Sequence, residues 1–205
     1  MKSFFLFLLF IFFITQVHSE IDTQLVNRIE KHFENIKNLR ANFSEMIIPV
    51  IGDTQSFAGT INFARPCSLR MAIITPQEQL IVYNGTNAWL YLPKEKYCIK
   101  YRALSQNVMS KLPEYIFSPF KNLNVDSVRT VNNFICLHFS KKDKENFFDN
   151  LTLKISNDKL LPLSLELYDK TGNKTVYNFT DVRTNNNKKV NFTFSPPDDV
   201  LIIEK

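Results

Sequence analysis

The chain has 205 residues, with 25 Lys and Arg against 20 Asp and Glu, and a formal net charge of +5. Its basic residues are scattered, densest at Lys94, Lys96, Lys100 and Arg102 and at Lys141, Lys142 and Lys144, so no basic helix or Gly/Arg tract marks a nucleic-acid footprint. Three widely spaced cysteines, Cys67, Cys98 and Cys136, exclude a dense disulfide framework and a zinc site. Buried small hydrophobes are the preferred reading of these thiols, with one bridge plus one free thiol as the alternative.

The first nineteen residues read as a cleavable export signal. Lys2 is followed by an apolar run from Phe4 to Ile14, then by Val17-His18-Ser19 with small residues at the −3 and −1 positions of a cleavage site. Such a run spans about 16 Å as a helix, against roughly 30 Å for a bilayer core. Residues 20–205 are then expected to form a single domain large enough for one core, with a net charge of +4 once Lys2 is gone. Six Asn-x-Ser/Thr sequons begin at Asn42, Asn84, Asn150, Asn173, Asn178 and Asn191; in a chain this rich in Asn, Thr and Lys they read as chance matches.

From Asp22 to Leu39 the apolar residues Leu25, Ile29, Phe33, Ile36 and Leu39 recur every three or four positions, which predicts an amphipathic helix capped by Asp22 or Thr23. The period then falls to two. Leu39, Ala41 and Phe43 begin a first strand. A second strand places Phe57, Gly59, Ile61, Phe63 and Arg65 on one face and ends at Pro66. Cys67 to Ile73 gives a third. Gln79 to Tyr83 and Asn87 to Leu92 flank Asn84-Gly85, a hairpin signal, and Tyr97 to Tyr101 makes a sixth.

Ala103 to Leu112 reads as a short helix ended by Pro113, followed by an apolar segment through Phe120. Strands resume at 124–131, 134–139, 151–156, 163–168, 174–180 and 190–194, and three of the four glycines fall at turns. The fold expected is mainly β with an α lid. It is one large curled antiparallel sheet of about eleven strands, an unclosed or closed barrel, covered by the N-terminal helix and a central helical segment.

No catalytic constellation emerges. Apart from His18 there are two histidines, His32 and His138, and no Gly-x-Ser-x-Gly, His-Glu-x-x-His, glycine-rich phosphate loop or Cys-x-x-Cys. The expectation is a protein that is not an enzyme, with no cofactor and no metal site. The informative feature is an apolar interior seeded with one charge. Ile61, Phe63 and Arg65 share a face, Leu69 and Met71 follow on the next strand, and Leu80, Val82, Trp89 and Tyr91 lie on the hairpin beyond. An arginine on such a face either snorkels to water, pairs with an acid, or donates to carbonyls and so latches the middle helix over a cavity.

Several of these segments resemble the LolA family of outer-membrane lipoprotein carriers. They are Leu39-x-Ala41-x-Phe43-x-Glu45, where the family usually has Gln last; Arg65-Pro66-x-x-Leu69-Arg70-Met71; and Leu80-Ile81-Val82 with Asn84-Gly85 and Trp89-x-Tyr91-x-Pro93. The C-terminal part adds Leu161-Pro162, Asp169-x-x-Gly172, Phe179, Asn185 and the run Phe192 to Val200. The resemblance implies an unclosed β-barrel with a helical lid over an apolar concavity that receives acyl chains. It implies Arg65 as lid latch and Ile61, Phe63, Leu69, Met71, Leu80, Val82, Trp89 and Tyr91 as cavity lining. Leu104, Val108, Met109, Leu112, Ile116 and Phe117 fall in the lid segment. The partners implied are acylated lipoproteins, an inner-membrane ABC exporter and an outer-membrane receptor lipoprotein, with the chain acting in the periplasm as a monomer. The receptor itself is lipid-anchored, and Glu20 stands where its acylated cysteine would. An exported module for free fatty acid or another small lipid is the other reading of the same fold.

Overall fold

The structure is a computed structural model that describes residues 21–102, 108–142, 148–187 and 189–205. Helix α1 (Thr23–Glu34) leads into strands β1 (Asn38–Ile48), β2 (Gln55–Ala64), β3 (Ser68–Thr75), β4 (Gln79–Tyr83), β5 (Asn87–Leu92) and β6 (Tyr97–Arg102). Helices α2 (Val108–Phe117) and α3 (Pro119–Asn122) follow. Strands β7 (Leu123–Val131), β8 (Phe134–Lys141), β9 (Phe148–Ser156), β10 (Pro162–Asp169), β11 (Lys174–Thr184) and β12 (Leu201–Glu204) complete the chain.

All twelve strands join one sheet in the order β12-β6-β5-β4-β3-β2-β1-β11-β10-β9-β8-β7. Every neighbour is antiparallel except β12, which pairs parallel to β6. Strands β7 and β12 remain edges, so the curled sheet is an unclosed barrel, as expected, with one strand more than counted. The alternation of side chains decides its inside. Along β1, Leu39, Ala41, Phe43 and Glu45 are buried while Asn42 and Ser44 are exposed. At Gly59 the β2–β3 ladder carries an irregularity, and a Cβ there would stand 1.9 Å from the Ala72 carbonyl oxygen; only glycine fits.

Helix α1 starts where expected, with Asp22 accepting from the Leu25 amide at 2.9 Å, but it ends sooner. Its last turn closes at Asn35, whose N–H reaches the His32 and Phe33 carbonyls, and Leu39 belongs to β1. Ile36 and Leu39 stay buried with Ile29 and Phe33, so a turn and a strand continue the apolar spacing that the helix began.

The middle helix extends further than expected, and residues 103–107 of the predicted segment lie outside the described residues. Instead of ending at Pro113, α2 runs through it to Phe117. Proline at the sixth helical position removes only the bond to residue 109, and burial of Leu112, Tyr115, Ile116 and Phe117 offsets that loss. The helix stops at Ser118, which precedes Pro119 and is held out of the helical region at φ −145°, ψ 45°.

Residues 190–194 are not a strand. Val190, Phe192 and Phe194 do alternate inward, but they lie over the outer face of the sheet without joining it, and the ladder resumes only at β12. The three cysteines are free; Cys98 is buried, whereas Cys67 and Cys136 are only partly so. No helix among the described residues is long and apolar enough to cross a membrane.

Candidate functional site

The inner face of the barrel is largely apolar. Phe63 pairs with Leu69 and Ile61 with Met71 across β2 and β3, and all four are fully buried. Leu153, Leu165, Tyr177 and Phe179 continue the surface on β9, β10 and β11. Over it lie Ile29 and Phe33 of α1 and Leu112, Tyr115, Ile116 and Phe117 of α2, all in the same buried cluster. Phe63 meets Phe117 edge to face at 5.9 Å, and Tyr115 meets Phe148 at 5.7 Å. Of the residues assigned to the lid, Leu112, Ile116 and Phe117 therefore cover the concave face. Val108 and Met109 stand on the first turn of α2, and Leu104 lies outside the described residues.

Arg65 fastens this cover. It follows β2 directly, and its guanidinium donates to four acceptors. Nε reaches the Ile36 carbonyl at 2.8 Å and Nη2 the Phe33 carbonyl at 3.0 Å, both just past or within the last turn of α1. Nη2 also reaches the Phe117 carbonyl at 2.9 Å, and Nη1 the Ser118 hydroxyl at 3.2 Å, at the end of α2. The Arg65 carbon Cζ sits 5.2 Å from the Phe117 ring centroid. Two helix C-termini, each carrying a partial negative charge on its last carbonyls, are thus tied to one planar cation. Clefts of about 480 and 680 Å³ flank the arginine, the first with Glu30 and Glu34 in its walls and the second with Glu114. Water can reach the tie from both sides.

Leu80, Val82, Trp89 and Tyr91 belong elsewhere. In the ladder Leu69 faces Tyr83 and Met71 faces Ile81, so Ile81 and Tyr83 share the concave face. Val82 and Leu80 pair with Trp89 and Tyr91 on the opposite, outer face. There Phe194 lies 5.8 Å from Trp89 and 5.3 Å from Tyr91, so the C-terminal segment covers the two aromatics. The physical reason is that this part of the sheet is buried on both sides, so both of its faces are apolar.

One polar pair interrupts the concave face. Glu45 and Tyr177 sit directly opposite on β1 and β11, and the tyrosine hydroxyl donates to Glu45 Oε1 at 2.6 Å. Burial pushes the Glu45 carboxyl above its ordinary range, and the tyrosine bond only partly opposes that. Tyr177, fully buried beside this acid, is held well above the usual phenol range. The Tyr115 hydroxyl is buried without a partner among the described residues, and burial with the nearby Glu114 charge lifts it to about 12. In the sequence Glu45 stands out only as a departure from the family's glutamine. No cluster of His, Cys, Asp and Glu able to hold a metal ion occurs among the described residues.

Known proteins place this architecture. The family model described as "Outer membrane lipoprotein carrier protein LolA" matches residues 34–203. An outer-membrane lipoprotein carrier protein of Nitrosospira multiformis is 26% identical over 217 residues, covering 100% of this chain and 98% of its own. One from Francisella philomiragia is 27% identical over 213 residues with the same coverage. Among solved structures, an uncharacterized conserved protein from Thermus thermophilus shares the fold at a TM-score of 0.55 and 11% identity, across 89% of this chain and 98% of that one. The chain belongs to the LolA family of outer-membrane lipoprotein carrier proteins.

Proposed function

We propose that this protein is a periplasmic carrier for lipoproteins. It shelters their acyl chains against the concave face after release from an inner-membrane exporter, and it surrenders them to an outer-membrane receptor. The observation that carries this reading is Arg65, one side chain holding two helix ends over a largely apolar surface.

The energetics suit reversible carriage. Burying an acyl chain is worth about 0.8 kcal/mol per CH₂, so an open apolar trough would bind several chains too tightly to release them. Here the trough is already filled by Leu112, Ile116 and Phe117. Cargo must displace that cover and break the Arg65 bonds, each worth about 1.5–3 kcal/mol as charged hydrogen bonds. Only the difference appears as affinity. A recipient that offers the chains a better surface then gains them, and the cover returns to its own groove. No covalent bond is made or broken in the cycle.

A synthetic peptide with a diacylglyceryl group on its N-terminal cysteine tests the reading. Titrated into the purified protein, it should form a one-to-one complex, quench the packing signal of Phe117 and Phe63 in ring NMR spectra, and lower protection of α2 amides. A protein that binds free palmitate as well as the peptide would instead be a fatty-acid module. No complex with either would sink both readings.

A further inference from the structure

The described residues expose seven large apolar side chains well to solvent, and four of them gather at one end of the barrel. Val50 is 65% and Ile51 90% exposed at the tip of the β1–β2 hairpin. Met46 and Ile74, 39% and 62% exposed, lie at the same end of the sheet but further back, since Met46 pairs with Ser56 and the end of β3 reaches only Ala58. A polar tip would satisfy the turn equally well, and isolated exposed aliphatics are ordinary, but a group at a projecting point is not.

The tip is braced rather than loose. The Val50 amide donates to Asn173 Oδ1 at 2.9 Å, and Asn173 is itself held by both carboxylate oxygens of Asp169, at 2.9 and 2.8 Å. A side chain on Gly172 would press Val50 Cγ2 at 3.2 Å, so the neighbouring turn fits closely against the tip. Gly52, at φ +108°, turns the chain back toward β2 and leaves Ile51 at the outermost point.

The geometry points to a lipid surface as the partner of this tip: Val50 and Ile51 enter the acyl boundary of a bilayer and seat that end of the barrel on it. Two features select lipid over protein. A two-residue projection is far smaller than the roughly 800 Å² per partner of a stable protein interface. Pro49, Val50, Ile51 and Gly52 carry no hydrogen-bonding side chain, Pro49 has no amide N–H, and the Val50 amide is already bonded, which lowers the cost of entering hydrocarbon. The contact lies at the opposite end of β2 from Arg65, so it leaves the latch clear. It deepens the carrier reading by giving delivery a membrane-touching step of its own, but it does not depend on that reading.

Flotation with vesicles of phosphatidylethanolamine and phosphatidylglycerol, mixed three to one, tests it. The wild-type protein should float, and Val50→Asp with Ile51→Asp should lower the bound fraction at least tenfold while leaving the melting temperature and diacyl-peptide binding unchanged. Ile51→Ser alone should give an intermediate loss, and Asn178→Asp, an exposed site on β11, should give none. Equal flotation of wild type and double variant, or no flotation of the wild type, overturns the inference. Flotation that follows the tip in a protein failing to bind the diacyl peptide supports the lipid contact and removes the carrier reading.

Discussion

Strand β4 sends Ile81 and Tyr83 to the inner face and Leu80 and Val82 to the outer one, and both pairs are covered, yet the two covers are held differently. The inner cover is two helices tied through the side chain of Arg65 to backbone carbonyls. The outer cover is the C-terminal segment, pinned at one end by Asn185, which accepts from the Lys37 amide at 2.7 Å and donates to the Asn35 carbonyl at 3.1 Å. At its other end it is sewn into the sheet by β12, with the Leu201 and Lys205 amides on the Lys96 and Lys100 carbonyls at 2.9 Å. A backbone ladder opens only with the edge of the sheet. A tie made by one guanidinium opens by a few rotamer changes. Apolar character alone does not separate a binding face from a structural one; the manner in which each is closed does.

The largest test of that contrast is Arg65→Leu. It removes four hydrogen bonds at once and leaves the ends of α1 and α2 without their cation, for an expected loss of at least about 3 kcal/mol in thermal or urea unfolding. Hydrogen exchange should accelerate at the amides of α2 and not at those of β12, and release of bound diacyl peptide should be altered. Arg65→Lys should restore little, since an ammonium cannot span both helix ends as the planar fork does. Uniform loss of protection across β12 and α2 would break the comparison, because it would make the inner cover as integral as the outer one.

Phe194→Ala addresses the other side. Phe194 is only partly buried, so the loss of its contacts with Trp89 and Tyr91 should cost about 2 kcal/mol, below the range for a fully buried ring. Its effect should fall on stability and on Trp89 fluorescence, with diacyl-peptide binding unchanged. Weakened peptide binding would mean that the outer aromatics take part in the site, as the family resemblance implies for Trp89 and Tyr91.

These contrasts explain what is legible in the sequence. Arg65 can be placed beside Ile61 and Phe63 because polar residues alternate with them along β2 and fix the parity of the strand. In Leu80-Ile81-Val82-Tyr83 every residue is apolar, so alternation carries no information, and the pair expected inward faces out. The acceptors of Arg65 are invisible for another reason: Phe33, Ile36 and Phe117 supply carbonyls, which every residue possesses. Val190, Phe192 and Phe194 show a strand's period, since a chain laid flat on an apolar surface also turns every second residue down. Pro113 looks like a helix end because propensity is silent about the burial that overrides it.

The smallest effect concerns the one acid within the inner face. Glu45 is 6% exposed, and burial holds its carboxyl above the ordinary value near 4.3 found in an unfolded chain. Between that ordinary value and the raised native one, the folded protein binds more protons than the unfolded, so stability falls as pH rises through this window. Above the native value the penalty is complete and constant. Glu45→Gln keeps an acceptor for the Tyr177 hydroxyl and removes the charge. The variant should therefore be more stable than the wild type by on the order of 1 kcal/mol at pH 8, with the advantage shrinking to nothing as pH falls below the ordinary glutamate range. Unfolding curves of the two proteins across pH 4–8 measure it. A difference that stays constant with pH would mean that Glu45 keeps its charge at no cost, and the inner face would then have to be wetter at β1 than its burial indicates.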